Sequence, residues 1–151
     1  MKHLHYQQIG KGSDVILIHG LFGSLENLGS ITKVLCKTYR ITSVDVRNHG
    51  NSFHNNSMSY DELALDIINL MDYLKISTAH FLGHSMGGKI AMNLAVKYSH
   101  RVNKLMVADI APVAYPAHHK DIISGLQSLD LQHIKNRKDA DKQLSQYVEE
   151  V

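Results

Sequence analysis

A single cysteine, Cys36, stands in a chain of 151 residues, so no internal disulfide can brace the fold and stability has to come from apolar packing. Tryptophan is absent and proline occurs only twice, which excludes the Pro-rich and low-complexity composition of linkers and disordered tails. An excess of one charge is missing as well. Sixteen basic residues face 14 acidic ones for a formal +2, and no charged run favours nucleic acid or an anionic membrane surface. No apolar stretch is long enough to cross a bilayer and no basic-then-apolar leader precedes the chain, so a soluble, cytoplasmic protein is expected. Histidine is plentiful, at 11, yet none falls in an H-E-x-x-H or Cys/His arrangement. Neither a metal nor a cofactor is expected.

What the chain does have is an apolar fraction of 44%, enough for one domain with a real core, and a regular alternation of element types. Met1 to Ile9 alternates loosely, and Gly10-Lys11-Gly12-Ser13-Asp14 reads as a turn into the apolar run Val15-Ile16-Leu17-Ile18. A hairpin followed by a buried strand is expected. The small-residue loop His19-Gly20-Leu21-Phe22-Gly23-Ser24 comes next, then a helix-compatible segment near Leu28 to Thr38 and a strand over Tyr39 to Asp45. Ser59-Tyr60-Asp61-Glu62 is a capping box, and Leu63, Ile67, Leu70, Met71 and Leu74 follow it at helical spacing. Val102 to Ala108 is a further strand, ending at Asp109-Ile110-Ala111-Pro112. This alternation predicts an α/β fold with a mostly parallel sheet and helices on both faces. From Ala117 onward it stops and helical spacing takes over, with Ile122, Ile123, Leu126 and Leu129 in one stripe. The domain reading is therefore 1–116 for the sheet-bearing core and 117–151 for a helical segment.

Gly83-His84-Ser85-Met86-Gly87-Gly88 fits G-x-S-x-G between the apolar run Ala79 to Leu82 and the helical run Lys89 to Tyr98. That context is the one a nucleophile elbow requires: a sharp strand-to-helix turn that projects a serine oxygen into a cleft. Ligands of open α/β sheets bind beyond the carboxyl ends of the strands. His19-Gly20, Asp45 with Arg47, Ser85 and Asp109 all fall at such ends. Acyl transfer on a serine also needs backbone N–H groups for the developing oxyanion. Met86 supplies one, and the loop after Ile18 supplies the other, from Leu21 or Phe22.

In order along the chain, His19-Gly20, Asp45-Val46-Arg47-Asn48-His49-Gly50-Asn51-Ser52, the elbow, and Asp109-Ile110-Ala111-Pro112 resemble the α/β-hydrolase superfamily. Most of its members carry Gly where Asn48 stands. Asn48 together with Asp-Ile-Ala-Pro resembles the YbfF-type esterase branch, in which the acid follows the strand after the elbow helix and acyl esters or acyl-CoA thioesters are hydrolysed. The resemblance covers nearly the whole chain. It implies Ser85 as nucleophile, Asp109 as acid, Leu21 and Met86 as oxyanion donors, and Phe22 and His84 beside the substrate, a small-molecule acyl ester or thioester. It also makes the helical segment 117–151 the start of a cap.

In that superfamily the triad histidine sits on the loop after the last strand. The last histidine here, His133, lies in the helical segment, and a substitute base at His118-His119 is not expected. The resemblance thus implies that two strands and the triad histidine lie outside the chain, and that turnover is impaired. Without a neighbour, the 102–108 strand is expected to be an open apolar edge that pairs with another copy or with a companion C-terminal fragment. The competing expectation is a non-catalytic fragment acting as a binding or self-associating module.

Overall fold

In a computed structural model, residues 3–115 and 120–147 are described. Five strands, β1 (Tyr6–Ile9), β2 (Asp14–Ile18), β3 (Arg40–Val44), β4 (Ala79–His84) and β5 (Val102–Ala108), form one sheet in the order β1-β3-β2-β4-β5. β1 runs antiparallel to β3, and every other pairing is parallel. Between the strands lie α1 (Gly29–Leu35), entered through a 3₁₀ turn at Leu25–Leu28, α2 (Tyr60–Tyr73) and α3 (Met86–Lys97).

Central β2 is a continuous apolar run because both of its faces are covered. Ile16 and Ile18 join Phe81, Leu63, Ile67, Met71, Ile90 and Leu94 in one core under α2 and α3. Val15 and Leu17 point the other way and pack with Leu28, Ile41, Leu82, Ile31 and Leu35 beneath α1. The period-two alternation of a strand is what divides the core between the two faces. α2 begins where the sequence predicts: the Glu62 N–H donates to Ser59 Oγ (3.3 Å) and the Ser59 N–H donates to Glu62 Oε2 (2.9 Å). Its apolar stripe, Leu63 to Met71, is buried.

The expected hairpin does not form. β1 bypasses β2 and pairs with β3, Tyr6 opposite Val44 and Ile9 opposite Ile41. Both edges of β2 are occupied by β3 and β4, so the free edge of β3 is the one that receives β1. The Gly10 to Asp14 turn makes this possible, since Gly10 and Gly12 at φ +88 and +111 carry the chain over the backbone of Cys36 to Tyr39.

The two outer strands differ. β1 turns Gln7 and Gln8 to solvent with Ile9 at its end 53% exposed, whereas β5 leaves the adjacent Leu105 (39%) and Met106 (61%) exposed. A hollow of about 270 Å³ lined by Val15, Leu35, Tyr39, Leu82 and Met106 opens beside β5.

Met1–Pro112 and Val113–Val151 are separate compact units. The first holds the sheet and its helices. In the second, α4 (Lys120–Gln127) meets α5 (Arg137–Leu144) where Gly125 faces Leu144 and Tyr147. The apolar stripe read from the sequence leaves Ile123 and Leu126 exposed. The 116/117 boundary lies outside the described residues. No helix among the described residues is long and apolar enough to cross a membrane.

Candidate active site

Ser85 alone separates β4 from α3, at φ 51 and ψ −115. A side chain there costs on the order of 1–3 kcal/mol, and a fold tolerates it only where the surroundings over-determine it. The surroundings do so here. A Cβ at Gly83 would overlap the Gly87 carbonyl, and one at Gly87 would overlap the Ile18 carbonyl. The Ser85 N–H donates to the Ala108 carbonyl of β5 (2.9 Å), while its own carbonyl accepts the N–H groups of Gly88 (2.9 Å) and Lys89 (3.2 Å). The hydroxyl itself does not cap the helix, so the strain is not explained by capping.

A left-handed residue other than glycine follows each of the four parallel strands: Phe22 (φ 60) after β2, Asn48 (φ 65) after β3, Ser85 (φ 51) after β4 and Asp109 (φ 59) after β5. Asparagine tolerates this region through local side-chain bonding, and Asn48 Oδ1 accepts the Asn55 N–H at 2.7 Å. This accounts for a non-glycine residue at a position where the resembled superfamily mostly uses glycine. At Asp109 the turn leaves the carboxylate 82% exposed with Oδ2 3.5 Å from His84 Nε2. The two meet because His84 lies opposite Ala108 in the β4–β5 ladder.

Beside the elbow runs the loop after β2. Gly20 lies against it: a Cβ there would meet His84 Nδ1 at 3.1 Å and Ser85 Cβ at 3.4 Å. A cleft of about 330 Å³ is lined by Gly20, Leu21, Gly23, Asn27, Leu28 and His84. Phe22 has an exposed ring, and its N–H donates to His49 Nε2 at 3.2 Å. Among the described residues, neither the Leu21 nor the Met86 N–H meets a protein acceptor. Ser85, Met86, His84, Asp109 and the Leu21 loop therefore share the carboxyl end of the sheet, with His84 on the cleft wall. His118-His119 lies outside the described residues, and no described group of His, Cys, Asp and Glu is arranged to hold a metal.

Asp45 and Arg47 sit at a strand end but are anchors. Buried Asp45 accepts the Leu25 N–H (2.7 Å), the Asn51 N–H (2.9 Å) and His5 Nδ1–H (2.8 Å). Burial acts to raise its pKa, and the bonds from Asn51, Leu25 and His5 outweigh it, so the carboxyl stays below its ordinary range. A Cβ at Gly50 would overlap that carboxylate. Arg47 forks onto Asp66 of α2 (2.6 and 2.9 Å) and reaches Glu62 Oε1 at 3.2 Å.

Two buried histidines complete the packing between loops. Val46 N–H donates to His19 Nε2 (3.2 Å), and His19 Nδ1–H donates to the Gly20 carbonyl (2.7 Å). Burial is the main cause holding His19 below the usual imidazole pKa, the Gly20 bond acting the other way. His49 Nδ1–H donates to the Arg47 carbonyl at 3.0 Å. The bonds from these histidines across to the neighbouring loop are not legible in the sequence, and the pairing of His5 with Asp45 has no local signal, since 40 residues separate them.

Comparison with known proteins gives a consistent picture. A family model described as alpha/beta hydrolase fold matches residues 15–147. The chain is 40% identical over 135 residues to a putative esterase/lipase of Haemophilus influenzae, covering 89% of this chain and 47% of that protein. Against Esterase YbfF of Escherichia coli it is 39% identical over 139 residues, with 91% and 55% covered. The solved structure of a marine microorganism esterase superposes with a TM-score of 0.91 at 36% identity, over 99% of this chain and 60% of the other. The chain spans about half the length of the curated relatives it matches.

Proposed function

The chain belongs to the α/β-hydrolase family, and on that premise we propose that it forms the nucleophile-bearing core of a carboxylic ester or acyl-CoA thioester hydrolase, acylated on Ser85. The observation that carries the reading is the strained, uncapped Ser85 between β4 and α3. In this reading Oγ attacks the acyl carbonyl as its proton passes to a base, and the C–O or C–S bond then breaks to release the alcohol or thiol. Water reverses the sequence and frees the acid. Met86 and Leu21 N–H groups take the oxyanion, which their lack of protein acceptors supports. Asp109 orients the base, and His84 and Phe22 contact the substrate. The esterase names of the relatives favour ester chemistry, and a lone Cys36 fits a cytoplasmic site.

The base is the part the described residues do not supply. None of their imidazoles bonds Ser85 Oγ; His19 and His49 hold backbone groups and His84 faces Asp109. Without a triad base, the oxyanion hole and binding leave roughly 10³ to 10⁴ over the uncatalysed rate, so this stretch alone turns over slowly. The open β5 edge supports pairing with a companion C-terminal segment or a second copy. The same absence favours a second reading, in which the chain binds or self-associates without turnover.

A fluorophosphonate probe tests the first reading. Labelling at Ser85, lost in Ser85→Ala, is expected in the chain supplied with the C-terminal half of a relative; no adduct there sinks the assignment. Ser85-dependent hydrolysis of p-nitrophenyl acetate by the chain alone would end the second reading.

A further inference from the structure

We propose that His49 and His19 are positioning residues that latch the loop after β2 to the loop after β3, each fixed as its Nδ1–H tautomer so that a bare Nε2 holds a backbone N–H of the opposite loop. The purpose assigned to this latch, presenting an oxyanion donor, rests on the acyl-transfer reading above.

The tautomers follow from the partners. A backbone N–H can only donate, so the ring nitrogen it meets has to accept: Phe22 N–H meets His49 Nε2 at 3.2 Å and Val46 N–H meets His19 Nε2 at 3.2 Å. A carbonyl can only accept, so Nδ1 carries the proton on both rings, toward Arg47 O at 3.0 Å and Gly20 O at 2.7 Å. Each imidazole thereby joins a carbonyl of its own loop to an N–H of the other, in opposite directions across the gap. The rings themselves touch, with centroids 5.2 Å apart. Asp45 adds a third tie through the Leu25 N–H at 2.7 Å.

The consequence for chemistry lies in which amide is consumed. Holding Phe22 N–H away on His49 stabilises the left-handed turn at Phe22 (φ 60). The preceding Leu21 is thereby left on the cleft with its N–H unspent. A donor fixed before the reaction is worth more than one that must be reoriented during it. The residue called for is a rigid ring that accepts at one end and donates at the other; neutral histidine is the side chain with both on one plane.

Long-range proton–nitrogen correlation spectra of the 151-residue chain read the tautomers directly. A protonated Nδ1 and a bare Nε2 are expected on both histidines, with scalar coupling between the Phe22 and His49 Nε2 nitrogens across the bond. A protonated His49 Nε2 overturns the proposal, and this reading needs no variant that has to fold. His49→Gln keeps an acceptor near the Nε2 position, whereas His49→Phe keeps a ring without one. For Ser85-dependent p-nitrophenyl acetate hydrolysis, H49F is expected to lower kcat on the order of tenfold at nearly constant KM, with H49Q restoring most of it. Equal loss in both variants, or a change confined to KM, overturns the positioning role. Should Ser85 take no fluorophosphonate while the spectra show the bare Nε2, the hydrolase reading falls and the latch stands.

Discussion

The two sides of the sheet handle the same local problem in different ways. On the β3–β2 side, the loops leaving the strands are cross-bonded through the buried side chains of Asp45, His19, His49 and Arg47. On the β4–β5 side, the turns at Ser85 and Asp109 are equally left-handed, but the carboxylate of Asp109 is 82% exposed and Ser85 Oγ caps nothing. Strain that is matched by hydrogen bonds stabilises a scaffold. At Ser85 the backbone is hydrogen-bonded and the hydroxyl caps nothing, so the strain holds a reactive group free to act, at the expense of stability.

Asp45→Ala tests that contrast most severely. Two backbone N–H groups and His5 lose their acceptor in a buried site, and a cost of about 3 kcal/mol or more is expected in urea unfolding. A loss below about 1 kcal/mol would put the two sides on the same footing. Acid probes the same contact in the native chain. The folded pKa of Asp45 is depressed, so its stabilisation is complete above the ordinary carboxylate pKa and drains away as pH falls through the depressed value. Unfolding midpoints compared between pH 7 and pH 3 should therefore drop in the native chain and drop less in the variant.

Ser85→Gly has the opposite expected sign. Glycine adopts φ 51 with ψ −115 without a Cβ penalty, so a gain of about 1 kcal/mol is expected alongside complete loss of probe labelling. Destabilisation would mean that the hydroxyl is bonded in a way that the tied side already displays.

Met106→Glu is the gentlest change. The residue is 61% exposed on β5, so stability should move by no more than about 0.5 kcal/mol, while light scattering at rising concentration should show less self-association than for the native chain. Identical scattering curves would remove β5 as the contact.

The contrast also marks what could be read from the sequence. Local signals sufficed for α2, because Ser59 and Glu62 cap it within one turn, and for the elbow, because Gly83 and Gly87 are needed where α3 starts against β4 and β2. The four strand-end loops were legible as a set, since alternating elements bring carboxyl ends to one rim. The partner of β1 was not: the Gly10 to Asp14 turn looks like a hairpin locally, and only the occupied edges of β2 redirect β1 to β3, a contact between Tyr6 and Val44. Asp45 was visible as a strand-end acid, but the anchoring on which its carboxylate is spent was not. Its donors come from Leu25, Asn51 and His5, and only the last of these is a side chain that a motif search could have weighed. Proximity of His84 to Asp109 depends on the β4–β5 register, which no motif spells out.

The strand order carries a consequence for how the chain is made. β2 is the most completely apolar strand and the second to leave the ribosome, yet both of its neighbours come later: β3 begins at Arg40 and β4 at Ala79. At typical synthesis rates β4 follows Ile18 by about 60 residues, or roughly 3–12 s. For that interval Val15-Ile16-Leu17-Ile18 has at least one naked edge, and its α2–α3 face is bare until α2 emerges and half-covered until α3 follows β4. A nascent chain stalled between Arg40 and Ala79 should therefore be a strong client for holdase chaperones, and release should coincide with emergence of the elbow, the same turn that closes the sheet around β2.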